Sequence, residues 1–176
     1  TVTITINGRE VKAQAGQTVL EAAAAAGIDI PVLCHHPAVQ PIGACRMCLV
    51  EIEKQRALQP ACTFPVSEGL VIQTESPRVV EARKFVLNLL FSERNHFCMF
   101  CQMSGNCELQ DLAYRYQMDH WIYQRAYPNL PVDSSRQYFV MDHNRCILCR
   151  RCIRACGDLV GNHTLGLRRR GVETML

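Results

Sequence analysis

Residues 31–48 read PVLCHHPAVQPIGACRMC, and thirteen further residues separate Cys48 from Cys62. Cys34, Cys45, Cys48 and Cys62 are therefore spaced C-x10-C-x2-C-x13-C. A two-iron cluster needs four thiolates, two on each iron, from a loop that wraps it and a fourth that arrives from elsewhere. Pro31 and Pro37 bracket the first ligand, and Gly43 and Ala44 precede the second. Both are small enough to let backbone N–H groups approach cluster sulfur. The spacing is a variant of the plant-type scheme, longer between the first two ligands. A four-cysteine zinc site needs the same number of thiolates, but such sites usually use two short C-x-x-C knuckles, and this stretch has one.

On the N-terminal side, Thr1–Ile6 alternates as a strand does, Asn7-Gly8 is a hairpin signal, and Glu10–Ala13 can return as a second strand. Thr18 heads a capping box with Glu21, and Leu20–Ala26 reads as a helix stopped by Gly27. Leu49–Glu53 and Leu70–Thr74 are further strands. A mixed sheet crossed by one helix, with a cysteine-bearing loop after it, is the β-grasp plan. Residues 1–75 are thus predicted to form a [2Fe-2S] β-grasp domain in an α+β chain. Ser76-Pro77 then caps and opens a second helix. Its apolar stripe runs Val79, Ala82, Val86 and Leu89, flanked by Val80, Phe85 and Leu90, and is expected to be core.

The other seven cysteines fall into two groups. Residues 95–112, NHFCMFCQMSGNCELQDL, hold Cys98, Cys101 and Cys107. Three thiolates leave a four-iron cubane one ligand short. His96 can supply the missing lone pair, whereas Arg94 has none to give. A lone histidine beside a cysteine is usually only a histidine; the incomplete ligand set singles this one out. Residues 146–156, CILCRRCIRAC, have the ferredoxin spacing at Cys146, Cys149, Cys152 and Cys156. In two-cluster ferredoxins the fourth cysteine of such a run serves the other cluster. No cysteine follows Cys156 up to Leu176. Three readings stand open: a longer parent protein, Cys156 folding back to complete one cluster, or an unfilled site. Residues 76–118 are expected to be a small helical [4Fe-4S] domain, with a short helix over Cys107–Tyr116. Residues 119–137 are expected to be an irregular connector, and 138–176 a partial bacterial-ferredoxin-like domain opened by a strand at Tyr138–Met141.

Composition narrows the field. An odd count of 11 cysteines, mostly in C-x-x-C pairs, argues against a secreted disulfide scaffold. Thr1–Ile6 alternates as a strand does and does not read as a signal peptide, and the run Phe85–Phe91 is too short to cross a bilayer. A cytoplasmic protein without membrane insertion is expected. Net charge is +3 with both signs mixed, which points to no particular partner. Arg145, Arg150, Arg151, Arg154 and Arg168–Arg170 have no interleaved aromatics, so nucleic acid is disfavoured. Beside an anionic thiolate-bound cluster, guanidinium groups lower the cost of adding an electron. No G-x-G-x-x-G, P-loop or Ser/His/Asp set occurs, so neither dinucleotide binding nor acid–base catalysis is expected in these residues.

The capped helix with Cys34–Cys62, and the stretch around Cys98–Cys107, resemble one iron–sulfur region. It is shared by the diaphorase iron–sulfur subunit of NAD-linked hydrogenases, NAD-linked formate dehydrogenases, the large iron–sulfur subunit of respiratory complex I and the accessory domain of [FeFe]-hydrogenases. The likeness extends to Gly105–Gln110 and to Arg169-Arg170-Gly171. It departs at one point: many members place three residues between the histidine and the first cysteine, and here only Phe97 intervenes. The resemblance implies one [2Fe-2S] cluster at Cys34, Cys45, Cys48 and Cys62, and one [4Fe-4S] cluster at His96, Cys98, Cys101 and Cys107. It also implies a possible further [4Fe-4S] cluster at Cys146, Cys149 and Cys152, with Cys156 beside them. A cysteine at 156 is nearer to hydrogenase subunits than to complex I. The implied role is electron transfer within an oxidoreductase, between a flavin- and NAD(P)-binding diaphorase subunit and a catalytic hydrogenase or dehydrogenase subunit. Formate dehydrogenase and complex I are alternative parents, and a zinc-stabilised binding module is the rival of another class.

Overall fold

Asn7 and Gly8 take φ of 52° and 78°, the pair of left-handed conformations that a two-residue type I′ hairpin requires. They join β1 (Val2–Ile6) to β2 (Arg9–Ala13) in an antiparallel pair with Val2 opposite Ala13. Alternation turns Ile4 and Ile6, with Val11 and Ala13, to the buried face. In the capping box before α1 (Val19–Ala25), the Glu21 N–H donates to Thr18 Oγ1 at 3.2 Å. The Thr18 N–H in turn donates to Glu21 Oε2 at 2.7 Å. Ala22 and Ala23 are buried, and their lack of bulk lets the helix lie close on the sheet.

The structure, a computed structural model, describes residues 1–176 and forms two compact units, Thr1–Val86 and Leu87–Leu176. The first unit adds β3 (Leu49–Ile52), β4 (Gln59–Pro60) and β5 (Val71–Gln73). Sheet order is β2-β1-β5-β3-β4, with β1 and β5 parallel and the other pairs antiparallel, which is the expected mixed sheet. Strand β4 was not foreseen, since two residues show no alternation and Pro60 is tolerated only because the strand is an edge. It matters nonetheless. The Ala61 N–H donates to the Cys48 carbonyl at 3.0 Å, which brings Cys62 beside Cys48.

Helix α2 (Pro77–Glu93) corrects the expected stripe. Its buried stripe is Val79, Arg83, Leu87 and Phe91, one helical turn apart, with Ser92 beside the last, while Phe85 and Leu89 are 52% and 45% exposed. The displaced stripe runs through a charged residue, which no apolar pattern would place inside. Arg83 is fully buried because its donors are all engaged within the first unit. Nε reaches the Met47 carbonyl at 2.9 Å, Nη2 the Leu49 carbonyl at 2.8 Å and Nη1 Glu75 Oε1 at 2.7 Å.

The second unit contains α3 (Glu108–Arg115), the short pair β6 (Val132–Asp133) and β7 (Met141–Asp142), and α4 (Arg151–Arg154) running into a π turn at Ala155–Leu159. The strand expected at Tyr138–Met141 begins only at Met141; Tyr138, Phe139 and Val140 are exposed and lack a pairing partner strand. No helix is long and apolar enough to cross a membrane.

Candidate iron–sulfur sites

None of the 11 cysteines is paired in a disulfide. Those of the first loop form two pairs. The Cys34 N–H donates to Cys45 Sγ at 3.3 Å, and the Cys45 N–H returns to Cys34 Sγ at 3.5 Å. Cys48 and Cys62 form the other pair, thiol against thiol. Hydrogen bonding to Cys34, then burial, pushes the Cys45 thiol up, and Cys62 and burial do the same to Cys48. Cys62 is lowered to about 7 because Cys48 donates to it, with the Gly43 N–H adding to the effect. The Met47 N–H serves the Cys45 sulfur in the same way. Between these two ligands Arg46 is left-handed at φ 62°, which folds the backbone back over the sulfur.

Gly43 sits at φ 59°, and a Cβ there would meet Thr63 Oγ1 at 3.3 Å. Gly43→Ala therefore costs roughly 1–2 kcal/mol in left-handed strain alone, about a tenfold loss of retention for what the loop holds. On the reading of these four cysteines as the ligands of a two-iron cluster, the expected result is faster release of two irons to a chelator than in wild type.

In the second loop, Cys98 opens a 3-10 turn, Cys98–Phe100, and the Cys101 N–H closes it on the Cys98 carbonyl at 3.2 Å. Buried Gln110 accepts from the Gly105 N–H at 2.7 Å and donates to Ser104 Oγ at 3.3 Å, fixing the turn that delivers Cys107 to the start of α3. Burial raises the Cys98 thiol, and nearby Cys107 and Cys101 add to it, so the three thiols lie within electrostatic reach of one another. His96 Nε2 is buried with no hydrogen-bond partner. Such an orphan costs about 1–3 kcal/mol unless the lone pair is lent to something, and a metal is one such taker. Burial first, then Arg145, Arg94 and Arg125, lowers the ring pKa to about 4, so the imidazole is neutral and fit to be a ligand.

The connector covers this loop. Its Ala126 N–H donates to the Ser92 carbonyl at 2.9 Å, and the Ile122 N–H to Asn88 Oδ1 at 3.0 Å. The Arg125 guanidinium lies 3.6 Å from the Trp121 ring centroid, Trp121 stacks on Phe91 at 6.3 Å, and Phe91 meets the His96 ring edge-on at 5.5 Å. Sequence reasoning missed Gln110, Arg125 and a pair of asparagines. Asn95 donates through its backbone N–H to the Asn144 carbonyl at 2.9 Å and through Nδ2 to the Pro128 carbonyl at 3.2 Å. The side chain of Asn144 bridges both backbone groups of Leu130. No spacing rule advertises such links; only Asn95, next to His96, and Gln110, at the end of the family-like stretch, carried any signal.

In the third loop, Leu148 and Arg150 are left-handed at φ 54° and 58°, and the Leu148 N–H is turned onto Cys146 Sγ at 3.4 Å. Partial loss of water around its sulfur raises the thiol of Cys152, exposed as the residue is, with Cys149 and Cys146 adding, so these three lie within electrostatic reach of one another. Cys156 goes elsewhere. Its Sγ lies 3.5 Å from Thr164 Oγ1, and its thiol is lowered by Thr164 first and then by the backbone N–H groups of residues 163–165. Buried Arg154 donates to the carbonyls of Arg150 at 3.3 Å and Cys149 at 3.4 Å, so one arginine of the basic knot grips the ligand loop itself. No three donor side chains converge on the position of a single ion. The ligands of a cluster bind different irons and need not do so.

These thiol loops on a mixed sheet and a helical second unit define an iron–sulfur protein. Residues 1–77 match the 2Fe-2S iron-sulfur cluster binding domain, and residues 83–121 the NADH-ubiquinone oxidoreductase-G iron-sulfur binding region. The chain belongs to the iron–sulfur protein family shared by NADH-quinone oxidoreductases and NAD-reducing hydrogenases. It superimposes on a chain of the NAD+-reducing [NiFe]-hydrogenase crystal structure in the H2-reduced state with a TM-score of 0.94 at 39% identity, covering 99% of this chain and 74% of that one. The mitochondrial NADH-ubiquinone oxidoreductase 78 kDa subunit of Neurospora crassa is 36% identical over 99% of this chain and 24% of its own length. The NADP-reducing hydrogenase subunit HndD of Solidesulfovibrio fructosivorans is 37% identical over 91% of this chain and 29% of its own length. The chain thus spans less than a third of these two curated relatives.

Proposed function

We propose that the chain is an electron relay within an NAD-linked oxidoreductase. On this reading it passes electrons between a flavin- and NAD(P)-binding diaphorase subunit and a catalytic hydrogenase subunit in the cytoplasm. The observation that carries the reading is the grouping of eleven cysteines, none in a disulfide, on three separate loops, four of them in two pairs. Cys34 with Cys45 fits one iron of a [2Fe-2S] cluster, and Cys48 with Cys62 the other. His96, Cys98, Cys101 and Cys107 fit a [4Fe-4S] cluster, and Cys146, Cys149 and Cys152 three corners of another. When bound, such clusters supply one-electron transfer at potentials that ligand type, hydrogen bonds and burial adjust. The chain's own residues hold, space and insulate them, with N–H groups on sulfur and guanidinium groups nearby. The hydrogenase parent is favoured over a complex I parent by the 74% coverage of the hydrogenase chain and by the cysteine at position 156.

Elemental analysis of protein purified without oxygen tests this reading. About ten irons per chain are expected, two from the first loop and four from each of the others. Zinc in place of iron would overturn the proposal in favour of a zinc-stabilised module.

A further inference from the structure

We propose that Arg83 is a positioning residue for the first cluster, a buried fork that holds the ligand turn around Cys48 and sets the potential there. This rests on the reading of Cys34, Cys45, Cys48 and Cys62 as a two-iron site. The fork grips the carbonyls of Met47 and Leu49, the residues on either side of Cys48, at 2.9 and 2.8 Å. In a trans peptide the C=O of one residue and the N–H of the next point in opposite directions. Anchoring the Met47 carbonyl on the guanidinium therefore aims the Cys48 N–H away from Arg83. The Met47 N–H serves the Cys45 sulfur, so Met47 is fixed at both of its backbone polar groups. Only a planar, multiply donating group spans two carbonyls two residues apart while also meeting Glu75 Oε1 at 2.7 Å; an ammonium on a flexible stem does not.

Packing alone gives no reason for a cation here. Position 83 lies on the buried stripe with Val79, Leu87 and Phe91, where leucine or methionine would fill the space without desolvating a charge. Its counter-ion, Glu75, is 42% exposed, so the positive end of the pair is inside and the negative end reaches water. The positive member of the pair is therefore the one beside the Cys48 turn, which favours the reduced, more negative state of a cluster held there.

The test compares wild type with Arg83→Met, Arg83→Lys and Glu75→Gln in the full chain, purified without oxygen. Three quantities are read: the paramagnetic signal of the reduced two-iron centre, its midpoint, and its rate of iron release to a chelator. Arg83→Met is expected to assemble the centre, lose its two irons at least tenfold faster and show a lower midpoint. Arg83→Lys restores the midpoint through its charge but not the retention, because the fork is gone. Glu75→Gln raises the midpoint and leaves retention as in wild type. Wild-type retention and midpoint in Arg83→Met overturn the inference. If that variant fails to fold, wild-type retention in Arg83→Lys, or a tenfold loss in Glu75→Gln, overturns it instead. A wild-type chain with no two-iron signal overturns the site reading and the inference together.

Discussion

Replacing His96 by cysteine is expected to leave a four-iron cluster in the second loop and to lower its midpoint by something on the order of 100 mV or more. The sign follows from charge. A thiolate brings one more negative charge into the ligand shell than a neutral imidazole, and that charge disfavours the added electron. Exchange of two cysteines for two histidines separates Rieske from plant-type centres by some hundreds of millivolts, so a single exchange accounts for roughly half of the lower end of that range. Assembly should survive, because Arg145, Arg94 and Arg125, which add to burial in keeping the imidazole neutral, offset the cost of burying a thiolate in its place. The ring's protonation also bears on acid tolerance. Its pKa is depressed from 6.5 to about 4, so a proton competes with iron for the lone pair only as pH falls toward 4. The wild-type signal of this centre should then be constant from about pH 8 to about pH 5.5, where an ordinary histidine would already be mostly protonated. Redox titration of His96→Cys decides the assignment, and an unchanged midpoint would remove His96 from the ligand set.

Most of the first unit was legible because short-range rules dictate it. Asn7-Gly8 admits little besides a type I′ turn, Thr18 and Glu21 satisfy each other's backbone, and alternation fixes which faces of β1 and β2 are buried. The grouping of the thiols on three loops was legible because C-x-x-C spacing is itself local. What stayed hidden depends on partners distant in sequence. Arg83 reads as a surface residue until Met47, Leu49 and Glu75 are seen around it, and its burial shifts the α2 stripe away from Phe85 and Leu89. Asn144 was invisible for the same reason, and Gln110, although it closes the family-like stretch, showed no role, since an amide that orders a loop has no spacing signature. Strand β4 was missed although it is what carries Cys62 to Cys48, because a two-residue edge strand exists only through its neighbour. Hydrophobicity misled at Tyr138–Val140, where apolar β-formers lie exposed instead of pairing.

The same contrast between local pattern and distant partners governs the third loop, where CILCRRCIRAC treats its four cysteines alike and the fold does not. Cys152→Ala is expected to remove about four irons per chain, whereas Cys156→Ala removes none from that centre. Cys146, Cys149 and Cys152 influence one another, and the left-handed Leu148 and Arg150 turn the backbone around them. Cys156 lies beyond α4, on the π turn, where an extra residue per turn rotates its side chain toward Thr164. Its sulfur is set in a pocket of donors from residues 163–165, an environment that favours a thiolate without help from the other three. A Cys156 turned away from the other three fits the arrangement of two-cluster ferredoxins, in which the fourth cysteine of such a run serves a different cluster. Iron analysis and the spectrum of each variant distinguish the two arrangements. Equal loss of four irons in both variants would mean that the π turn unwinds on metal binding and that Cys156 closes the same cubane as Cys152.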